Sequence, residues 1–232
     1  KAKKVNIENE IEQNKLILDS QHGFRKNRSC LSNLLVFMES CARKLDCGES
    51  VDVIYLDFQK AFDKVPHYRL SIKLQAMGIT GDLLNWIINW LSSRKQRVVL
   101  NGEFSEWVDV GSGVPQGSVL GPLLFIIFIN DLENGIINKI LKFADDTKLL
   151  GSVDSMEQIQ KLQGDLDKLF IWSNDWGMSF NVEKCKIMHL GAKNKRTIFR
   201  FGNGTLEGVE KEKDLGVIIS NYTLNLNLHT KL

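Results

Sequence analysis

A chain of 232 residues that is 43% hydrophobic and 25% charged can fill a sizeable core, as one large domain or two small ones. Its formal net charge of +2 is well short of the basic excess of a dedicated nucleic-acid binder, and its longest nearly unbroken apolar run, 119–129, is too short for a membrane span and is interrupted by Gly121-Pro122. Cys30, Cys41, Cys47 and Cys185 form no C-x-x-C pair and no zinc-ligand spacing, and the N-terminus is polar, so a soluble intracellular protein with reduced thiols and no membrane partner is expected.

In chain order, Leu31, Leu34, Leu35, Met38, Ala42 and Leu45 recur at helical spacing, and Gly48 closes that helix. Residues 51–56 are apolar and β-branched and predict a buried strand ending at Asp57. A helix follows Pro66 as far as Met77, and another follows Gly81, its apolar face including Trp86 and Trp90 as core residues. Residues 97–100 and 104–110 flank Asn101-Gly102 as a hairpin. A Gly-rich turn, 111–121, leads to Pro122, a favoured first helical residue, and a helix over 123–129. Residues 140–141 and 149–150 read as strands meeting at a tight Asp145-Asp146 turn; then come a helix from Met156 to Phe170 and short strands at 186–190 and 215–219. Strands and helices are mixed rather than alternating, with no linker or repeat, so one continuous α+β domain is the economical reading. The basic clusters at 1–4, 94–97 and 193–196 are phosphate contacts or solvated loop charge, and His22, His67, His189 and His229 are scattered.

Chemistry concentrates on carboxylates. Asp145 and Asp146 stand side by side between apolar runs, where burial of unpaired charge is costly unless something positive, most simply a divalent cation, sits there. Taken alone, the pair is more readily a solvated turn. Asp57, delivered to a sheet edge by a buried strand, adds a third carboxylate, and the trio would suffice as protein ligands for magnesium, whose shell is completed by water and substrate phosphates.

Three blocks occur in order: Val53 to Asp63, Gly113-Val114-Pro115-Gln116-Gly117-Ser118-Val119-Leu120-Gly121-Pro122, and Phe143-Ala144-Asp145-Asp146. They resemble motifs A, B and C of reverse transcriptases, closest in wording to the non-LTR (LINE-type) retrotransposon enzymes of the CR1 and jockey kind. Gln21-His22-Gly23-Phe24-Arg25, Gly177 to Lys184 (motif D) and Asp214-Leu215-Gly216-Val217 (like motif E) extend the resemblance over about 16–219. It implies a polymerase palm, an antiparallel sheet backed by helices, over 51–220, with a partial fingers segment at 1–50 and the start of a largely absent thumb at 221–232. It further implies an RNA-directed DNA polymerase that transfers nucleotides from dNTPs to a primer 3′-hydroxyl on an RNA template, in the nucleus or a cytoplasmic ribonucleoprotein. Asp57, Asp145 and Asp146 would be catalytic and hold two Mg²⁺ ions, for which Mn²⁺ could substitute. Lys184 would protonate the pyrophosphate or offset its charge, or be an exposed strand-edge lysine. Phe58, Phe62, Gln116 and Gly117 would bind substrate, Phe62 as the gate that excludes a ribose 2′-hydroxyl. Arg25, Arg94, Arg97, Lys195 and Arg196 are candidates for the template-primer backbone. The competing reading is a truncated or inactive copy acting at most as an RNA-binding module; oligomeric state is not addressed by the sequence.

Overall fold

A computed structural model of the protein describes residues 16–225, so the 1–4 basic cluster and His229 lie outside the described residues. In chain order the elements are α1 (Cys30–Asp46), β1 (Val51–Leu56), α2 (Ala61–Lys64), α3 (His67–Ala76), α4 (Gly81–Ser92), β2 (Lys95–Gln96), β3 (Val99–Leu100), β4 (Glu103–Phe104) and β5 (Val108–Asp109). There follow α5 (Gly121–Phe128), β6 (Lys139–Phe143), β7 (Asp146–Ser152), α6 (Met156–Trp176), β8 (Lys186–Leu190), β9 (Arg200–Phe201), β10 (Gly204–Thr205), β11 (Glu207–Gly208), β12 (Lys211–Asp214), β13 (Val217–Ser220) and α7 (Asn221–Asn225). The expected α+β class holds. Where the sequence suggested one continuous domain, contacts divide the described residues into a sheet unit (Asp19–Gln59, Asp131–Asp175 and 179–225) and a helical unit (16–18, Lys60–Asn130 and Trp176–Met178).

The sheet unit is built on five strands in the order β11-β8-β1-β7-β6, antiparallel except for the β11–β8 pair. β1 is central, as its unbroken apolar sequence requires. Its register with β7 pairs Val51 with Ser152, Val53 with Leu150 and Tyr55 with Lys148 on one face of the sheet. Val51, Val53, Leu150, Leu141 and Met188 pack there with Phe37, Cys41 and Leu45 of α1. α1 starts where Ser29 and Ser32 satisfy each other's backbone N–H groups, a capping box, and stops at Gly48 with φ +79°. The opposite face meets α6: a Cβ on Gly151 would lie 3.1 Å from Leu162 Cδ1. The fully buried Asp165 of α6 accepts from the backbone N–H groups of Ile137 (3.0 Å) and Asn138 (2.8 Å), fixing the approach to β6.

In the helical unit α3 packs on α4 and α5. Of α4, Leu84, Ile87 and Leu91 are buried, whereas Trp86 and Trp90 are only half-buried and stack in parallel on one another at 6.2 Å rather than filling the core. The Asn101-Gly102 hairpin forms as expected, both residues at positive φ (+51° and +87°), but its pairing is split into β3–β4 and β2–β5. The buried Lys73 donates to the Phe128 carbonyl at the end of α5 (2.6 Å), its ammonium 3.7 Å from the Trp176 ring centroid and 4.6 Å from that of Phe128. This cation satisfies a carbonyl at a helix end, where intrahelical donors run out, and stacks on aromatic faces. Lys73→Met keeps the stem and removes the donor, and should lower the unfolding free energy by about 1–3 kcal/mol, measured by urea denaturation.

Candidate active site

In the pairing of β1 with β7, Leu56 faces Thr147 as the last pair of the ladder; Asp57 follows Leu56 and Asp146, the first residue of β7, precedes Thr147, and both line one cleft. The same face runs from the apolar Val53/Leu150 pair through Tyr55/Lys148 towards these two carboxylates. Asp145 is added by the β6–β7 turn. That turn differs from the expected one: Phe143 pairs with Asp146, so its two central residues are Ala144 and Asp145, and Asp146 belongs to the strand.

Ala144 sits at φ +53°, a left-handed conformation that costs a residue with a Cβ about 1 kcal/mol or more. Gln21 holds it there. The Gln21 amide, 1% exposed, donates to the Ala144 carbonyl (3.3 Å) and accepts from the Ala144 N–H (2.9 Å), satisfying both backbone groups of the strained residue. Lys142 N–H donates to Ser20 C=O and His22 N–H to Lys142 C=O, each 2.8 Å, which sets Gln21 beside the turn. Gly23 is required next: a Cβ there would lie 2.3 Å from the Ala144 nitrogen. His22, also buried, bonds Ser32 Oγ through Nδ1 (2.8 Å) and faces an Arg28 donor at Nε2 (3.4 Å), so the proton is on Nδ1. Burial first, then Arg28 and Arg25, lower its pKa to about 4.

None of the carboxylates of Asp57, Asp145 and Asp146 is matched by a cationic side chain in an ion pair among the described residues. Asp145 is half-buried and its pKa is raised, chiefly by burial, with Asp57 adding to the rise. Asp146 reaches solvent, yet the protein around it, then Asp145, Asp214 and Asp57, push it up to about 6. Carboxylates held near one another, with Lys148 only partly offsetting Asp146 and no ion pair to any of the three among the described residues, are a donor set that fits a hard cation. Among the described residues no group of three or more His, Cys, Asp or Glu side chains is gathered closely enough to hold a metal ion by itself.

A cleft of about 170 Å³ lies over this cluster, lined by Asp57, Asp146, Lys148, Lys184, Lys213 and Asp214 among others. Lys184 is exposed in the turn that precedes β8, not on a strand edge. The turn is tied to the site through Asn181, whose N–H donates to the Asp57 carbonyl (2.8 Å). Lys148 and Asp214 form a buried ion pair at 2.6 Å. Neither was a sequence candidate; the only signal was a lysine directly before the apolar Leu149-Leu150 pair. Asp214 ends β12; the predicted strand 215–219 starts only at Val217, because Leu215 and Gly216, at φ +47° and +89°, make the β12–β13 turn.

Phe58 does not face a substrate. It is 4% exposed, stacked on Phe180 at 4.2 Å with Trp172 at 6.3 Å, because strand alternation turns it to the face opposite Asp57. The other expected substrate residues lie in the helical unit. Phe62 is half-buried and stacked on Phe125 at 4.5 Å. Its carbonyl accepts from Val114 N–H, and Val65 C=O accepts from Gly113 N–H, each 2.8 Å. Gly113, at φ +87°, admits no Cβ, which would meet the Asp63 carbonyl at 2.6 Å. Gln116 and Gly117 form an exposed tip of this loop. Arg94 is spent internally, donating to the carbonyls of Leu91 and Gly113, and Arg97 lies over the Phe104 and Trp107 rings; Lys195 and Arg196 are exposed.

A sheet of this kind, with one aspartate just past a central strand, one in the neighbouring turn and one opening the next strand, defines a polymerase-like palm. The family model described as reverse transcriptase (RNA-dependent DNA polymerase) matches residues 1–219, and the chain belongs to that family. It is 33% identical over 174 residues to the RNA-directed DNA polymerase from mobile element jockey of Drosophila funebris, covering 71% of this chain and 19% of that protein. It is 25% identical over 183 residues to a Pol polyprotein of the retrotransposable element R2 of Popillia japonica (73% and 29%). These relatives are non-LTR retrotransposon proteins, as the motif wording implied. The chain spans about a fifth of the length of the jockey protein. Apo telomerase from Candida tropicalis shares the fold, with TM-score 0.66 and 12% identity over 96% of this chain and 40% of that one.

Gln21→Leu should leave the β6–β7 hairpin in place and lower any metal-dependent activity of the site by about tenfold or more, since two buried backbone groups at Ala144 lose their partners; the assay is turnover alongside a thermal melt. The lowered pKa of His22 means that the unfolded chain takes up its proton first. Its contribution to stability should be complete above about 6.5 and decline as pH falls towards about 4, by at most ~3 kcal/mol. His22→Gln should flatten that slope relative to wild type in urea titrations at pH 7.5 and 4.5.

Proposed function

We propose that the protein is the RNA-directed DNA polymerase of a non-LTR retrotransposon, adding deoxynucleotides to a primer 3′-hydroxyl on an RNA template. The observation that carries this reading is that Asp57, just past the end of the β1–β7 ladder, and Asp146 line one cleft beside a clamped turn bearing Asp145, with no ion pair to any of them among the described residues. In the reaction the primer 3′-oxygen bonds to the α-phosphorus, the bond from that phosphorus to the bridging oxygen breaks, pyrophosphate leaves and the hydroxyl proton passes to water. Two Mg²⁺ ions, with Mn²⁺ as a substitute, would be held by Asp57, Asp145 and Asp146 and would supply electrostatic stabilisation of the attacking and leaving oxygens.

The chain's own residues do the rest. Asp57 and the clamped turn fix where substrate oxygens can approach, and a rigid turn limits the rearrangement required during the reaction. Lys184, exposed at the cleft, offers a proton or a positive charge to the departing pyrophosphate. By family resemblance Phe62 excludes the ribose 2′-hydroxyl, and Gln116 and Gly117 lie against the incoming nucleotide, with glycine permitting close backbone approach. Exposed Lys195 and Arg196 remain as backbone contacts for template or primer, and the working place is the nucleus or a cytoplasmic ribonucleoprotein.

Primer extension on an RNA template with Mg²⁺ or Mn²⁺ tests the reading. Wild type should extend and Asp145→Asn should lose at least about 10²–10³-fold in rate. Equal, negligible extension by both sinks it, and salt-sensitive RNA binding without extension would leave the RNA-binding module in its place.

A further inference from the structure

Lys148 and Asp214 are paired with their side chains 3% and 4% exposed. The pair is poorly explained by stability, because desolvating two charges consumes most of what their attraction returns. Lys148 already has an apolar setting, its ammonium 4.9 Å from the Phe37 ring centroid and its stem opposite Tyr55. An apolar pair would pack there at no loss. What distinguishes the position is its neighbours: Lys148 lies two residues beyond Asp146 on the same sheet face, and Asp214 lines the cleft that Asp57 and Asp146 line. Glu212 lines the same cleft of about 170 Å³, and without its partner Asp214 would stand there as a fourth uncompensated carboxylate beside Asp57, Asp146 and Glu212. Lys184 and Lys213 line the cleft too, but both are solvent-exposed, and Lys148 is the cation that touches Asp214.

We propose that Lys148 is a positioning residue that neutralises Asp214 and so keeps divalent-cation binding on the Asp57 and Asp146 side of the cleft. The inference rests on the polymerase reading, yet it concerns where a cation binds and can be tested apart from turnover. The two charges act in opposition. Removing Lys148 exposes Asp214 and draws a cation towards the Asp146–Asp214 side; removing the Asp214 charge leaves a lysine ammonium beside the carboxylates and repels it.

Mn²⁺ binding followed by electron paramagnetic resonance, with thermal melts in parallel, is the measurement. Lys148→Met should bind Mn²⁺ at least about fivefold tighter than wild type and Asp214→Asn at least about fivefold weaker, while the double variant returns to wild-type affinity. In primer extension Lys148→Met should be slower despite tighter binding. A pair that served only to hold the fold would weaken binding in both single variants, and shifts in the same direction, or none, overturn the proposal. If Lys148→Met alone does not fold, Asp214→Asn against the double variant decides: weaker binding in the first and wild-type binding in the second are both required. A wild-type chain that binds no Mn²⁺ also overturns it. Failure of wild type to extend any better than Asp145→Asn would refute the polymerase reading and leave the Mn²⁺ comparison standing.

Discussion

The pairing of β1 with β7 is the constraint on which the sheet unit depends, because one register decides both what is buried and what is presented. With Val53 against Leu150, these two and Val51 fall on the face that α1 covers, and the ladder runs to Leu56/Thr147, next to which Asp57 and Asp146 stand at one cleft. A slip of one residue would turn Val53 and Leu150 to opposite faces and separate the two carboxylates as well. Core packing therefore enforces the geometry of the site. Each buried aliphatic on that face contributes on the order of 1.5–3 kcal/mol to keeping the register, far more than the carboxylates lose by repelling one another across a solvated cleft.

Unfavourable local features collect at one end of that column. Ala144 is in a left-handed conformation, Asp145 and Asp146 hold raised pKa values, and a lysine and an aspartate are buried together within a few residues of them. Two of these are offset by something specific: Gln21 for the backbone of Ala144, Lys148 for Asp214. The three carboxylates make no ion pair among the described residues, and Lys148 only partly counters the rise at Asp146. Strain that is supported beside charge that is left unpaired is the pattern expected of a functional site rather than of a merely polar turn.

Elements whose signal is local were legible in the sequence. β1 and β8 fall at the predicted residues, α1 is flanked by its Ser29 and Gly48 signals, and the Asn-Gly turn appears where its dipeptide put it. What failed was information that only pairing supplies. Adjacency of two aspartates suggested a turn made of both, but the ladder takes Asp146 into β7 and leaves Ala144 to bend. Phe58 shared a motif with Asp57, and alternation along the chain sent the two side chains to opposite faces. Trp86 and Trp90 fitted an apolar stripe that was wider than the buried one. The carboxylate trio itself was readable from residue type and flanking apolar runs, whereas Gln21 and Lys148 do their work through partners that no spacing rule connects to them.

The Gln21 clamp reaches across 123 positions of the chain to Ala144. A hairpin such as β6–β7 zips locally and fast, while contacts of that separation must wait for large loops to close. Translation delivers Gln21 long before the turn it serves, and the turn is finished only when the two meet. A half-folded chain thus has the aspartates but not their setting, and the capacity for chemistry is among the last properties that folding confers.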